Sequence, residues 1–389
     1  MQISLQERIP TTAIAFRGYN TTNLGRSAEL LNDPAYGPVV VRILNHVSEI
    51  SSEIMGRSID LKQRIRNEEE TNLETFADAI ALIMGMEMVQ VELLREFFDI
   101  SLEKAPLSMG YSLGEITALV HAGVVDLQEA LLIPLSMADQ CVELAKDTTM
   151  GVVFSRGKQI DVPSVQRIMN HINEQGCGVI AISSFLSPNS ILVLGQETTV
   201  NRFRKQVKTH FEGDVHVRKN KDHWPPMHTP VLWQKAIPNR AAHMLHTIAV
   251  NTHPPKPAVI SLAQPAAYYN DHNTRNLLGN WTDHPQHLWD AVYEILRRGM
   301  ETVIHVGPAP NLVPATFRRL GDNIRSQLSR RTLNGIGMRA MSGMVRRPWL
   351  NALLPNKAAL LRAPFVEQII LEDWLLENSP SGKGEGAGF

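Results

Sequence analysis

The sequence predicts an α/β protein whose large domain has a mostly parallel sheet and carries an inserted ferredoxin-like subdomain. Two observations support this fold class. Short apolar runs, typical of buried strands, alternate along the chain with longer segments whose apolar positions have helical spacing. In the middle of the chain the order becomes strand, helix, strand, strand, helix, strand, which is that of a ferredoxin-like unit.

The first part of the large domain contains two short predicted strands, over residues 12–16 and 107–110. Apolar residues at helical spacing predict helices over residues 37–58, 72–97, 115–121 and 126–144. Strands that alternate with helices in this way usually form a parallel sheet covered on both faces. We therefore assign residues 1–148 to the large domain.

The ferredoxin-like subdomain is predicted over residues 149–219, after which the chain returns to the large domain over residues 220–320. The returning part is predicted to contain helices over 233–249 and 289–298, and strands near 258–262 and 302–306. Residues 321–389 form a C-terminal extension in this interpretation. It begins with an arginine-rich stretch, continues with an amphipathic helix over 357–377, and ends in a disordered tail.

Composition excludes several classes of protein. The formal net charge of −1 gives no overall attraction to nucleic acid. The two cysteines form no disulfide framework, and the apolar runs are too short or too often interrupted to span a membrane. Without a secretory signal, the chain is expected to be cytoplasmic. His284 and His287 have helical spacing but no convincing further ligands, so no metal is predicted.

The segment Gly110-Tyr111-Ser112-Leu113-Gly114 fits the G-x-S-x-G pattern, between a predicted strand and a predicted helix. In hydrolase-like sheets this turn holds a serine hydroxyl above the sheet edge, and flanking glycines let the backbone pass. The start of the following helix supplies N–H groups for a developing oxyanion. A structural turn with an incidental serine is the alternative interpretation.

A serine nucleophile requires a base, and the chain has 14 histidines. His228 differs from the others in its setting, because Pro225, Pro226 and Pro230 surround it. Prolines fix the backbone, so the imidazole can be held at little entropic cost.

These segments together resemble malonyl-CoA:acyl-carrier-protein transacylases and the acyltransferase domains of polyketide synthases. GYSLGEITALVHAGVVDLQEAL resembles the nucleophile segment of that family, and PPMHTPVL resembles its histidine segment. AFRGYN, SFLSPNSILVLG and HVGPAPNLVPATFRRL resemble an N-terminal loop, a hairpin and a C-terminal stretch of the same family. The five matches occur in order over roughly residues 10–320.

The resemblance implies that Ser112 attacks a thioester carbonyl to form an acyl-enzyme, with His228 as the base. It also implies an oxyanion hole made by the backbone N–H groups of Leu113 and Tyr19. Backbone carbonyls near the strand that holds Ser261 would orient the histidine without a carboxylate. The expected partners are an acyl-CoA and the phosphopantetheine thiol of an acyl carrier protein, and no cofactor is expected.

The chain departs from this family in the acyl pocket. Malonyl-using members carry an arginine on the helix beyond the nucleophile, where it pairs with the carboxylate of the acyl group. Met137 occupies that position, and no arginine lies between Ser112 and Arg156. An apolar pocket favours an uncharged acyl group, although malonyl remains open. The residues expected to line the pocket are Tyr111, Met137, Met227 and Asn72.

Two rival functions remain open at this stage. The first is an acyl-thioester hydrolase, either an editing relative of the transacylases that clears stalled acyl groups or an esterase with a lipase-like triad. Such a triad would use His284, His287 or His305, with Asp271 or Asp283 as the acid. A scaffold that binds the carrier protein without turnover would keep the fold and lose the chemistry. The arginine-rich stretch has two interpretations: it is a solvated face, or it attracts an acidic carrier protein or the phosphates of CoA. It includes Arg330, Arg331, Arg346 and Arg347.

Overall fold

A parallel sheet of five strands forms the centre of the large domain. The computed structural model describes residues 4–196, 198–251, 253–333, 350, 353 and 357–383. The strand order is β7-β2-β1-β8-β9, and every neighbouring pair is parallel. The strands are β1 (Thr12–Phe16), β2 (Leu107–Gly110), β7 (Ala258–Ile260), β8 (Thr302–Val306) and β9 (Glu367–Ile370). The predicted α/β fold class is confirmed.

Helices cover both faces of this sheet, and alternate residues of each strand face different cores. Ile14 and Phe16 of β1 face one core, whereas Ala13 and Ala15 face the other. None of the described helices is long and apolar enough to cross a membrane. The helices of the large domain are α1 (Leu5–Arg8), α2 (Ser27–Asn32), α3 (Gly37–Met55), α4 (Leu61–Arg66), α5 (Phe76–Phe98), α6 (Leu113–His121), α7 (Leu127–Leu135), α8 (Ala138–Ala145), α11 (Ile237–Thr247), α12 (Thr274–Asp283), α13 (Leu288–Arg297), α14 (Leu312–Leu333) and α15 (Leu371–Glu377).

The ferredoxin-like subdomain has a four-stranded antiparallel sheet in the order β4-β5-β3-β6. Its helices pack on one face of that sheet around a core of their own. The opposite face lies over the carboxyl ends of β1 and β2, where several of its side chains line a cleft. The elements are β3 (Thr148–Ser155), α9 (Val162–Glu174), β4 (Ile180–Ser187), β5 (Ser190–Gln196), α10 (Thr199–His210) and β6 (Val215–His223).

The C-terminal extension differs from its prediction as an amphipathic helix over 357–377. The structure has a 3-10 helix (Ala358–Phe365), then strand β9, then helix α15. Pro364 explains the change, because proline lacks the N–H that a helix needs and favours extended backbone before it. Beyond Pro364 the backbone pairs with the edge of β8 instead. The extension is therefore part of the large domain rather than an appendage.

The first residues of the predicted disordered tail are ordered, and that part of the prediction is wrong. Residues 380–383 form a 3-10 turn, and the hydroxyl of Ser381 donates to Asp33 at 2.6 Å. Residues 384–389 lie outside the described residues. Of the arginines singled out in the sequence, Arg330 and Arg331 fall within α14, whereas Arg346 and Arg347 lie outside the described residues.

Candidate active site

Ser112 lies at the tight turn between β2 and α6, with φ 54° and ψ −115°. The flanking glycines are required by the close approach of the backbone. A Cβ atom on Gly110 would lie 1.9 Å from the carbonyl carbon of Gly114, and one on Gly114 would lie 2.4 Å from the carbonyl oxygen of Phe16. The turn thus raises Ser112 above the carboxyl edge of the sheet, where ligands bind in open α/β folds.

The structure brings Ser112 and His228 together across the cleft. The Oγ atom of Ser112 lies 2.7 Å from Nε2 of His228. His228 is 4% exposed, and its Nδ1 lies 2.6 Å from the carbonyl oxygen of Trp281. A carbonyl oxygen only accepts, so Nδ1 carries the proton and Nε2 is left as the acceptor for the serine hydroxyl. Burial lowers the pKa of His228 to about 4, which keeps the imidazole neutral at pH 7.

The carbonyl that orients His228 is not where the sequence placed it. The resemblance implied backbone carbonyls near the strand that holds Ser261, but no carbonyl of that strand bonds to His228 in the described structure. The acceptor comes from Trp281, in the last turn of α12. The N–H of His228 also donates to the carbonyl oxygen of Thr282 in the same turn, so the end of α12 holds both the backbone and the ring of His228.

Trp281 and Gln286 are functional residues that the sequence reasoning missed. The indole Nε1 of Trp281 donates to the carbonyl oxygen of Ser112 at 2.8 Å. The side-chain oxygen of Gln286 accepts from the N–H of Ser112 at 3.1 Å, and its Nε2 lies 3.4 Å from Nδ1 of His228. Both residues lie more than 50 positions beyond His228 in sequence, with no motif spacing to mark them.

The expected oxyanion donors lie beside the nucleophile. Leu113 and Tyr19 both line the cleft, and neither backbone N–H has an acceptor within the part of the chain that the structure describes. The Tyr19 ring packs edge-on against Phe76 and Trp224, with centroid distances of 4.9 and 5.5 Å. Neither N–H group is committed to a protein acceptor in the described structure, which an oxyanion hole requires.

Arg17 holds the loop that carries Tyr19. Arg17 is 4% exposed, and its guanidinium donates to Gly18 O at 2.9 Å, to Asn23 Oδ1 at 2.8 Å and to the carbonyl oxygen of Pro308. These bonds link the loop after β1 to the loop after β8, both of which border the cleft. Because they occupy most of its donors, Arg17 fixes the backbone rather than offering a free cation to a substrate.

The cleft has a volume of about 470 Å³ and contains three of the four predicted pocket residues. Tyr111, Met137 and Met227 line it. Asn72 does not, and that prediction is wrong: its exposed side chain accepts from the N–H groups of Glu74 and Thr75 in the turn before α5. A short Asn side chain in such a turn bonds to its own backbone instead of reaching a distant cleft.

Met137 lies in the turn between α7 and α8 and not within a helix, because the predicted helix over 126–144 divides there. Its side chain is 3% exposed. Its neighbours in the cleft include Phe76, Ile80 and Cys141, and the thiol of Cys141 lies 3.4 Å from the sulfur of Met227. The inner end of the cleft is therefore apolar.

Of the histidines of the hydrolase hypothesis, His305 lines the same cleft as Ser112, whereas His284 and His287 do not. His284 is exposed and bonds to Asp283 at 2.7 Å, while Nδ1 of His287 lies 3.3 Å from Asp290. His305 is buried, with its Nε2 2.6 Å from the side-chain oxygen of Gln368. None of the three bonds to the serine in the described structure, so a lipase-like triad with these residues is excluded.

Comparison with solved structures identifies the fold. FabD of Acinetobacter baumannii matches with a TM-score of 0.65 and 17% identity, over 80% of this chain and 91% of that one. An acyl carrier protein S-malonyltransferase of Vibrio cholerae matches with a TM-score of 0.64 and 20% identity, over 79% and 93%. The chain has the fold of these enzymes. A malonyl-transacylase in complex with a type II polyketide-synthase acyl-carrier protein matches with a TM-score of 0.61 and 21% identity, over 79% and 92%.

The resemblance inferred from the sequence is thereby confirmed at the level of the fold, including its two-part construction. No protein-family model matches the chain, and no curated protein matches it. At 17–21% identity the substrates of these structures do not transfer to this chain by likeness alone. Any assignment of activity has to rest on the residues of the cleft.

Proposed function

We propose that the protein is an acyl-CoA:acyl-carrier-protein S-acyltransferase that works through an acyl-Ser112 intermediate. The observation that carries this proposal is the 2.7 Å contact between Oγ of Ser112 and Nε2 of His228, at the base of a cleft in this fold. A neutral imidazole whose Nδ1 proton is already bonded to a carbonyl has its Nε2 lone pair available for the serine proton.

In the first half-reaction, Oγ of Ser112 attacks the thioester carbonyl of acyl-CoA while His228 takes the hydroxyl proton. The carbonyl oxygen becomes an oxyanion, which the N–H groups of Leu113 and Tyr19 stabilise. The carbon–sulfur bond then breaks, and the imidazolium of His228 returns its proton to the CoA thiolate. CoA leaves as the thiol, and the acyl group remains as an ester of Ser112.

In the second half-reaction, the phosphopantetheine thiol of the carrier protein enters the same cleft. His228 takes the thiol proton, the sulfur attacks the ester carbonyl, and the serine oxygen leaves with the proton from the imidazolium. The reaction needs no carboxylate, because the carbonyl of Trp281 orients the imidazole. One thioester replaces another, so no cofactor is needed to balance the reaction.

The acyl group that best suits the cleft is uncharged. Arg17, Arg218 and Arg319 are the arginines among the described cleft residues. Arg17 is bonded to protein oxygens, and the other two are exposed side chains on β6 and α14. A malonyl carboxylate at the apolar end beside Met137 would lose its hydration without gaining a partner. Acetyl and other uncharged groups avoid that cost.

Two exposed arginines at the cleft suit an acidic carrier protein or the phosphates of CoA. Arg218 on β6 and Arg319 on α14 are exposed and line the cleft. Exposed cations of this kind attract an acidic partner at long range and speed its encounter. Helix α10 carries Arg202, Arg204, Lys205 and Lys208, but it packs on the face of the small sheet that is turned away from the cleft.

The proposal is tested by the intact mass of the protein after incubation with acetyl-CoA and with malonyl-CoA. We expect an acyl adduct on the wild type and none on Ser112→Ala. Ser52→Ala is the matched control. The hydroxyl of Ser52 donates to the carbonyl oxygen of Ser48 within α3, and Ser52 is not among the residues that line the cleft. Absence of any adduct on the wild type would favour the scaffold hypothesis.

A carrier protein separates transfer from hydrolysis. With holo-carrier present, we expect the adduct to move to the phosphopantetheine thiol, and with apo-carrier to remain on Ser112. Rapid release of free acid without any carrier would favour the hydrolase. In the same panel we expect uncharged acyl groups to label at least as well as malonyl, and a strong malonyl preference would contradict the role given to Met137.

A further inference from the structure

Met137 separates two cavities. On one side lies the inner end of the cleft, which we call the acyl arm and which is bounded by Phe76, Ile80, Met137, Cys141 and Met227. On the other side lies a depression of about 250 Å³ that Met137 also lines. Met137 is the one described residue that the linings of the two cavities share, and it is 3% exposed.

The depression is formed by the end of α7 and one face of α11. Its inner surface is mostly apolar, and its outer side is open, since Ser136 and Arg240 are exposed. A volume of 250 Å³ exceeds that of an apolar cavity of about 150 Å³ that holds a benzene molecule. The remaining residues that line it are Leu132, Ile237, Ala241 and Met244.

The position of Met137 limits how far an acyl chain can extend. The carbonyl carbon of a bound acyl group is fixed by Ser112 and the oxyanion donors, so each added methylene moves the chain end deeper into the acyl arm. Met137 and Cys141 are buried there, and half-buried Met227 contacts Cys141, so we infer that these side chains bound that end. Interiors packed at this density accommodate extra methylenes poorly.

We propose that Met137 sets the acyl-chain length limit of this enzyme, and that the depression behind it would accept the end of a longer chain once that side chain is shortened. The inference rests on the proposed acyl-Ser112 intermediate. It makes the substrate class short, uncharged acyl thioesters. It also gives Met137 a role that is distinct from the mere absence of an arginine at this position.

The test compares Met137→Ala with the wild type, using the initial rate of Ser112 acylation by acetyl-CoA and octanoyl-CoA. For the wild type we expect acetyl to react faster than octanoyl. For Met137→Ala we expect the octanoyl-to-acetyl ratio to rise by at least about tenfold, the discrimination that one methylene contributes in an apolar pocket. Met137→Val gives the same comparison with a smaller truncation if the alanine variant fails to fold.

Two further variants separate the proposal from general loosening of the core. Adding Ala241→Phe to Met137→Ala refills the depression, and we expect the ratio to return towards the wild-type value. Met169→Ala also truncates a buried methionine, but in the core of the small subdomain, and we expect no change in the ratio.

The outcomes distinguish this inference from the proposed function. If no acyl-CoA labels Ser112, the proposed function fails. If acetyl labels Ser112 but the wild type accepts octanoyl equally well, or if the ratio is the same in Met137→Ala, the length limit lies elsewhere and this inference is overturned while the acyltransferase assignment stands.

Discussion

The Nδ1 atom of His228 lies 2.6 Å from the carbonyl oxygen of Trp281. This carbonyl takes the position that a carboxylate holds in a Ser-His-Asp triad. It fixes the same tautomer, but as a neutral dipole it stabilises an imidazolium less than a full negative charge does. Burial is therefore the dominant influence on His228, and it lowers the pKa to about 4.

The first prediction concerns the pH dependence of Ser112 acylation. The neutral form of His228 is the active one, so the rate should remain high as the pH falls from 8 and decline only as it passes through about 4. Single-turnover acylation by acetyl-CoA measures this profile, and samples returned to pH 7 before assay control for acid unfolding. A decline centred near pH 6.5, the value of a free imidazole, would contradict the prediction.

The second prediction uses Gln286, whose Nε2 lies 3.4 Å from Nδ1 of His228. In Gln286→Glu a carboxylate replaces the amide, and a negative charge at this distance stabilises the imidazolium. We expect the acid limb of the acylation profile to move up by about one pH unit or more. Gln286→Met keeps a side chain of similar size but adds no charge. If the acid limb moves by the same amount in that variant, the negative charge is not the cause of the shift.

The third prediction concerns the indole of Trp281, which donates to the carbonyl oxygen of Ser112 at 2.8 Å. Trp281→Phe removes this donor but keeps the backbone carbonyl that orients His228. The N–H of Glu115 still donates to this carbonyl at 3.0 Å, so the variant loses one of two hydrogen bonds. One such bond contributes about 0.5–1.5 kcal/mol, and we therefore expect the acylation rate to fall by about two- to tenfold. Trp233→Phe is the control, since the Trp233 indole is 62% exposed and bonds to Asp283 at the surface. Equal losses in both variants would argue against a role at Ser112.

The fourth prediction concerns stability and Glu115, which is fully buried next to the nucleophile turn. Its Oε1 accepts from Ser261, Leu262 and Tyr269, whereas Oε2 has no partner among the described residues. Burial raises the pKa of Glu115 from 4.5 to about 7. Folding therefore favours the protonated form, and the stability that this provides is complete below about pH 4.5 and is lost as the pH rises through about 7.

Glu115→Gln imitates the protonated carboxyl at every pH. We expect its free energy of unfolding to match that of the wild type near pH 5 and to exceed it at pH 8 by up to about 3 kcal/mol. Denaturant unfolding at the two pH values measures the difference. Exposed Glu103→Gln should give no such pH dependence, and a wild type that is the more stable protein at pH 8 would refute the argument.

The fifth prediction concerns Glu372 on α15, which joins the two loops that border the cleft. Its Oε1 accepts from the N–H of Ala309 at 2.6 Å, and its Oε2 accepts from the N–H of Arg26 at 3.0 Å. In Glu372→Gln an amide N–H₂ faces one of these N–H donors, which costs about 1–3 kcal/mol of unfolding free energy.

Denaturant unfolding of Glu372→Gln checks this, with Asp373→Asn as the neighbouring control. Asp373 pairs with Arg26 at 2.9 Å, but both side chains are more than a third exposed, so its loss should cost less than about 1 kcal/mol. If both variants lose the same stability, the C-terminal extension does not support the loops in the way described.

The local features of the sequence were enough to predict much of the architecture. Strand β1 is a short, mostly apolar run, and the repeated change from strand to helix is a property of consecutive residues. The G-x-S-x-G turn is also local, because its glycines are required by contacts within a few residues and with the adjoining strand. Patterns of this kind report on secondary structure directly, since periodicity and turn chemistry act between neighbours.

The residues of the candidate site could be predicted only in part. His228 was found from its prolines and from the resemblance of its segment, but Trp281 and Gln286 were not found. Their roles follow from where α12 ends relative to the serine turn, which depends on how distant segments pack. The prediction that Asn72 lines the pocket was wrong for the opposite reason. Its side chain forms hydrogen bonds within a local turn and does not reach the distant cleft.

What the sequence by itself determined is the order of strands and helices, the serine turn and the absence of an arginine near Met137. Only the tertiary structure decided that Glu367–Ile370 extends the sheet and that a carbonyl of Trp281 orients His228. It also decided that Met137 stands between two cavities. The spacing of residues along a chain determines local geometry. Cavities and contacts at the sheet edge form only when segments that are remote in sequence pack against one another and remove apolar surface from water.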